Sequence, residues 1–269
     1  MKKVLMLTLV AALLLAFSGC GDTKPSSSGS GSSASAAATS SASAAASTPA
    51  AQKERIKVEA GQPLVDFEKG TEGMGFWDLS AYGFVSPDTT VVTGEEVYAG
   101  QGIKMDIAGD NTRGVMNLQM SELKEDIKGG MAKASDYEYL RFWVNNKGDA
   151  DVSIAIITII SSSLKNGCLD PEGALLYDEF GNEVSGYPDN AAGVSTLKGN
   201  KNTSLSIPAG FTGWAYYPIK QQVPWWEGNT LSEQELKSVD TLTFDMRYVD
   251  ATAAEALILD DVCLANAPK

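Results

Sequence analysis

The chain has 269 residues, with 34 acidic side chains against 21 basic ones and no histidine, for a formal net charge of −13. A surface of that sign repels nucleic acid and anionic lipid headgroups, and it disfavours acidic polysaccharides unless a local basic patch or a bound cation intervenes. Without histidine, Ser-His-Asp triads, Cys-His dyads and histidine-zinc sites are all excluded.

Residues 1–19 have the order of an export signal: Lys2 and Lys3, an apolar run from Val4 to Phe17, then Ser18 and Gly19 before Cys20. The run is shorter than the roughly 20 residues that span a hydrocarbon core. Phe17-Ser18-Gly19-Cys20 resembles a bacterial lipobox, although Phe stands where Leu is usual. The resemblance implies that Cys20 becomes the lipidated first residue, placing the protein on the extracellular face of the cell membrane; ordinary cleavage leaving a free thiol is the alternative. Loss of the signal removes two lysines and no acid, taking the charge to −15. Residues 20–52 then read as a linker. From Gly21 to Gln52 the chain is almost wholly Ser, Ala, Gly, Thr and Pro, too poor in large apolar groups to offset its ordering entropy. As a flexible coil, this stretch has an r.m.s. reach of about 30 Å.

Residues 53–269 are long enough for one sizeable core, and no linker-like interruption divides them. Short runs of Val, Ile, Leu, Phe, Tyr and Trp between Gly, Pro, Asn and Asp clusters predict strands near 64–68, 89–93, 102–107, 114–120, 137–145, 151–160, 174–178, 203–207, 213–219, 239–248 and 256–265. Two alternate cleanly. Leu140, Phe142 and Val144 oppose Arg141, Trp143 and Asn145, and Leu242, Phe244 and Met246 oppose Thr243, Asp245 and Arg247. Phe180-Gly181-Asn182 predicts a hairpin turn within 175–184. Ser232 with Glu235 predicts a capping box opening a single helical turn, and residues 121–128 a second short helix. The expected fold is all-β, a two-sheet sandwich.

Several motifs come in a recognisable order: Val65-Asp66-Phe67-Glu68, then Glu96 to Met105, then Tyr139 to Val144, then Ile207 to Ile219, and last Leu257 to Leu264. Together they resemble successive strands of galactose-binding-like jelly-roll carbohydrate-binding modules. The resemblance implies a jelly-roll β-sandwich and a structural calcium ion, Ca2+, linking the first and last strands. Transferred by position, its ligands are Glu68 and Asp260, completed by carbonyls near Gly100, with Asp66 and Asp261 as further candidates. Asp260 sits in the row Ile258, Asp260, Val262, Leu264, so its carboxylate is expected among apolar neighbours and in need of a cation or donors. A solvated acidic edge is the plainer alternative.

Sugars offer C–H faces that stack on rings and hydroxyls that bond planar polar groups, so a saccharide site combines Trp or Tyr with Arg, Asp, Asn or Gln. Arg141, Trp143, Asp245 and Arg247 have that composition on two strands that could be neighbours, with Trp77, Tyr82, Trp225 and Trp226 as rim candidates. Plain packing is the alternative for Trp143, Trp225 and Trp226. Trp214 and one of Tyr216 and Tyr217 are expected in the core. Cys168 and Cys263 either pair or stay free and buried. Ser162 and Lys165 match a Ser-x-x-Lys spacing, which needs a helix start and a Lys-Thr-Gly strand to mean catalysis. Glu95 with Glu96, and Glu233 with Glu235, have no feature separating them from surface charge. The expected function is non-catalytic binding of a polysaccharide or oligosaccharide at the cell surface. A glycoside hydrolase or lyase on the same fold, or a module binding protein or cell wall, is the rival reading.

Overall fold

The computed structural model describes residues 54–106, 114–122, 130–171, 173–184, 205–223, 230–248 and 256–268, without the side chains of Tyr82, Ala155, Ile156, Arg247 and Tyr248. These residues form two antiparallel sheets. The first runs β10 (Glu183–Val184), β9 (Leu175–Asp178), β12 (Thr212–Pro218), β6 (Tyr139–Asn146), β15 (Ala256–Ala265), β4 (Gln101–Asp106) and β3 (Asp88–Thr93). β1 (Gln62–Val65) lies beside the second half of β15. The second sheet runs β13 (Gln222–Val223), β8 (Asn166–Leu169), β7 (Val152–Ser161), β14 (Val239–Tyr248), β5 (Gly114–Gln119) and β2 (Met74–Phe76), with β11 (Leu205–Ile207) beside β7. The expected β-sandwich is therefore present.

All eleven expected strands occur, with ends within three residues of the sequence reading. β2, β8 and β13 were not expected, being short and rich in Gly, Asn or Gln. Helix α1 (Glu233–Leu236) opens on the expected capping box. Ser232 Oγ accepts from Glu235 N–H at 3.3 Å, and Glu235 Oε2 accepts from Ser232 N–H at 2.9 Å. In the expected hairpin, Asp178 Oδ1 accepts from Phe180 N–H and Asn182 N–H at 2.9 and 2.8 Å. Of the helix expected over 121–128, the structure shows a 3-10 turn, Met120–Glu122; residues 123–128 lie outside the described residues. Ser162 and Lys165 occupy the tight β7–β8 turn, with Leu164 in the left-handed region (φ 64°) and Lys165 Nζ paired to Glu235. This is no helix start.

The core fills the space between the sheets. Leu140, Phe142 and Val144 face Leu242, Phe244 and Met246, as the alternation predicts, and the Phe142 and Phe244 rings meet edge to face at 5.3 Å. Tyr217 is the tyrosine of the expected pair that enters this core, donating its hydroxyl to Ile154 O at 3.3 Å.

The last strand departs from its expected alternation. Asp260 pairs with Trp143 and Cys263 with Arg141, so the register shifts between them. Asp261 takes φ 42°, a conformation that Asp tolerates better than most residues, and one extra residue enters the ladder. The row Ile258, Asp260, Val262, Leu264 is thereby corrected: Leu257, Leu259, Val262 and Leu264 face the core, while Asp260 and Cys263 face outward.

Truncating Phe244 to alanine leaves a void at the centre of this core and should cost about 3–5 kcal/mol. Serine at exposed Val85 should stay within about 0.5 kcal/mol of the parent. Denaturant unfolding of the two variants checks the contrast.

Candidate functional site

The sandwich has two outer faces, and they differ in chemistry. On the first sheet the outward residues are large rings: Trp143, Trp214 and Tyr216, with Tyr98, Tyr139, Tyr177 and Val58 packed against them. Trp143 and Trp214 meet at 5.2 Å and 73°. The Arg141 guanidinium lies 4.5 Å from the Trp214 ring centre and donates from Nη2 to Asp261 Oδ2 at 2.9 Å. Trp143 is 1 % exposed and Arg141 3 %, so in this structure neither presents itself to a ligand. Trp214 is buried as expected, but in this outer layer rather than between the sheets.

On the second sheet the outward residues are small and polar, and Thr158, Thr243, Asp245 and Cys168 among them are buried as well. Gly75, Asn117, Thr243, Thr158 and Cys168 form one row across β2, β5, β14, β7 and β8. Thr243 Oγ1 donates to Asn117 Oδ1 at 2.8 Å, which leaves the Asn117 NH2 to point elsewhere. In the next row Trp77 N–H donates to Val115 O at 3.1 Å, and Val115 is paired with Asp245. Phe76 packs on the core, so alternation puts half-buried Trp77 on the outer side with Asp245, about 10 Å away across two strand spacings. A methyl group on Gly75 would meet nothing within 4 Å, so this edge of the face is open. Burial, reinforced by the charges of Asp170 and Asp245, pushes the Cys168 thiol far up, placing both carboxylates within electrostatic reach of this row.

The proposed set therefore divides. Strands β6 and β14 belong to different sheets, and the expectation that they lie side by side is corrected: the hydrophobic alternation of each is satisfied by facing the other across the core, which turns Arg141 and Trp143 away from Asp245. Trp77 and Asp245 share the second sheet's outer face. Arg247 follows in β14 opposite Ser153, with its side chain outside the described residues, and Tyr82 ends the 3-10 turn Ser80–Tyr82 with its side chain likewise outside them. Cys20, Trp225 and Trp226 lie outside the described residues. Asn117 and Thr158 escaped the sequence reading because a single amide or hydroxyl on a strand is an ordinary surface residue until its neighbours are known. Cys168 and Cys263, on opposite outer faces, are free and buried. The acidic pairs have other partners: Glu96 pairs with Lys147, Glu233 with Lys237, and Glu235 caps its helix.

No family model matches the chain, and no curated protein matches it. Among solved structures it is similar to the family 11 carbohydrate-binding module of the Clostridium thermocellum cellulase Lic26A-Cel5E, at 12 % identity and a TM-score of 0.40, over 78 % of this chain and 97 % of that one. A second structure of that module, in complex with a β-1,3-1,4-mixed-linked tetrasaccharide, gives 13 % identity and 0.41, over 78 % and 98 %. A family 28 module specific for non-crystalline cellulose gives 13 % and 0.39, over 79 % and 97 %. At these values none of those ligands transfers to this chain.

Glu68 and Asp260, the expected calcium ligands, both reach the loop before β4. Glu68 Oε1 accepts from Gln101 N–H at 3.1 Å. Asp260 Oδ2 accepts from Tyr98 and Ala99 N–H at 3.0 and 3.1 Å, and its Oδ1 from Asp261 N–H at 2.7 Å. Gly100 packs so closely on Glu68 that a Cβ there would stand 1.7 Å from Oε1. The loop thus turns the amide protons of Tyr98, Ala99 and Gln101 toward the two carboxylates. Among the described residues no group of three or more His, Cys, Asp or Glu is placed to hold a metal.

Burial pushes the Asp260 carboxyl from 3.8 up to about 7, against the pull of its three N–H donors and with help from the Asp261 charge. A raised folded pKa means that the native state holds the proton where the unfolded chain has lost it. The stability contributed by this group is therefore full below the unfolded value and is lost as pH rises through about 7. In chelator-containing buffer the Asp260→Asn variant should be less stable by about 1–3 kcal/mol, because its NH2 faces N–H donors. It should also lose less stability than the parent between pH 5 and pH 8, as read by denaturant unfolding.

Proposed function

We propose that this domain binds a neutral glycan, without catalysis, on the outer face of its second sheet, and that Cys20 anchors it to the outside of the cell membrane. One observation carries the reading: Asp245 and the Asn117–Thr243 pair lie on one face of the second sheet, whose edge at Gly75 is open, and alternation continued past Phe76 puts half-buried Trp77 on the same side. A ring for the sugar's C–H face and carboxylate, amide and hydroxyl groups for its hydroxyls are what saccharide recognition requires. Arg247, Tyr82, Trp225 and Trp226 are carried into the proposal from the sequence alone. Arg141 and Trp143, beneath the opposite face, have no part in it. The sequence resemblance to jelly-roll carbohydrate-binding modules supports the same ligand class.

The lipobox-like stretch before Cys20 and the Ser/Ala-rich linker after it support a surface lipoprotein whose domain gathers polysaccharide near the envelope. Titrating the protein against soluble neutral polysaccharides should find at least one ligand. Trp77→Ala and Asp245→Asn should each weaken it about tenfold or more, corresponding to about 1.4 kcal/mol, while unfolding as cooperatively as the parent. Unchanged affinity in both folded variants would remove this face from the reading, and release of reducing ends or unsaturated products would turn it into an enzyme.

Calcium at Glu68 and Asp260 is a separate proposal, supported by the resemblance alone, and it requires residues 98–101 to turn their carbonyls inward. A higher Tm on adding calcium to chelator-stripped protein supports it; the same Tm removes it.

A further inference from the structure

The aromatic face of the first sheet is covered by the chain's own residues 55–61. From the start of β1 beside β15 this strap runs across β6 to the β9–β10 hairpin, and it is held as a bound peptide is held. Its main chain is read twice: Ile56 N–H donates to Glu179 O at 2.9 Å, and Glu59 O accepts from Arg141 Nη1 at 2.7 Å. Its side chains have receptors. Arg55 donates to Glu179 Oε2 at 2.6 Å, to Val97 O at 2.8 Å and to Glu95 O, with its guanidinium 5.1 Å from the Trp143 ring centre. Val58 packs on the ring cluster, and the Ile56 side chain comes within 3.2 Å of the place a Cβ would take on Gly181.

Two features argue that this fit is replaceable. The strap residues are themselves half-buried or exposed. Beneath them two buried donors, Trp214 Nε1 and Arg141 Nε, have no hydrogen-bond partner among the described residues. A donor left unmade in a dry place is costly, so an occupant that supplies an acceptor there binds better than one that does not. The rings meet one another at steep angles, 73° for Trp143 with Trp214 and 68° for Tyr98 with Trp214, and so offer no flat platform for a sugar.

We infer that the outer face of the first sheet is a groove for an extended peptide, filled here in cis by Arg55–Gly61, and open to a partner segment that keeps the Arg-x-x-aliphatic spacing and adds an acceptor side chain over Trp214 and Arg141. It is separate from the proposed glycan face and does not depend on it.

The test uses the full chain with residues 55–60 replaced by Gly and Ser at equal length, keeping Gly61, and the synthetic peptide Arg-Ile-Lys-Val-Glu-Ala-Gly as probe. Calorimetric titration should show saturable binding, about tenfold weaker for the peptide with Ala in place of Arg and about tenfold weaker again to the parent, whose own strap competes. No binding by a cooperatively unfolding variant, or equal binding of a scrambled peptide, overturns the inference. Binding of a neutral hexasaccharide at this face in place of the peptide overturns it too. If the replaced chain does not fold, Arg55→Ala in the otherwise intact protein serves instead: it should take up the probe about tenfold more tightly than the parent and exchange its Ile56 amide faster. Parent-like values for both would equally overturn the groove.

Discussion

One residue too many in β15 shapes the outer face of the first sheet. β15 lies in the middle of its sheet, buried on both faces, and a regular strand would have sent Val262 and Leu264 outward once Leu257 and Leu259 faced in. The bulge at Asp261 restores them to the core and leaves Asp260 and Cys263 on the outer side. The conformation is held from both directions: Asp261 N–H donates to Asp260 Oδ1, and the Asp261 carboxylate pairs with Arg141. Asp260 then fastens residues 98 and 99, and the same loop gives up the carbonyls of Glu95, Glu96 and Val97 to Arg55, Trp143 and Asn145. The covered aromatic face is thus a consequence of one inserted residue.

The two outer faces then divide the work by what each can bury. Trp143, Trp214 and Tyr216 expose too much apolar area to stand in water on a monomer's surface, and a covering segment stabilises them at about 25 cal/mol per Å² of apolar surface removed. The second sheet's outward row is polar instead: Thr158 and Thr243 are buried, Asn117 is half-buried, and Thr243 Oγ1 donates to Asn117 Oδ1 at 2.8 Å. On the first sheet a ligand would first have to displace a strap held by five hydrogen bonds.

Much of this was legible in the sequence. Alternation located the long strands and assigned the inward residues of β6 and β14 correctly, because burial on one face imposes a period of two whatever the topology. Alternation does not say which strands are neighbours. Arg141-Phe142-Trp143 and Phe244-Asp245-Met246 look like parts of one face, yet their inward phenylalanines meet across the core and their outward residues part company. The bulge was equally hidden: a pair of aspartates near a chain's end reads as metal ligands or as surface, and only the partner strand shows that the second of them is an insertion. Arg55 left no signal, since one arginine among lysines and glutamates before the first strand is indistinguishable from solvated charge.

Charge bears on the ligand class proposed for the second face. Asp245 is 5 % exposed and Asp170 lies near enough to raise the Cys168 thiol with it, within a chain of net charge −13. A carboxylate brought to 4 Å from such a group is repelled by about 1 kcal/mol in water and about 4 kcal/mol in the partly shielded setting of a protein surface. Stacking on Trp77 is worth about 0.5–1.5 kcal/mol beyond area burial, which does not outweigh the upper figure. A neutral sugar meets no such term. Sugar hydroxyls donate to carboxylates in bonds roughly twice as strong as those between neutral groups, so the acidic balance that repels nucleic acid and disfavours acidic polysaccharides accords with the neutral glycan proposed above.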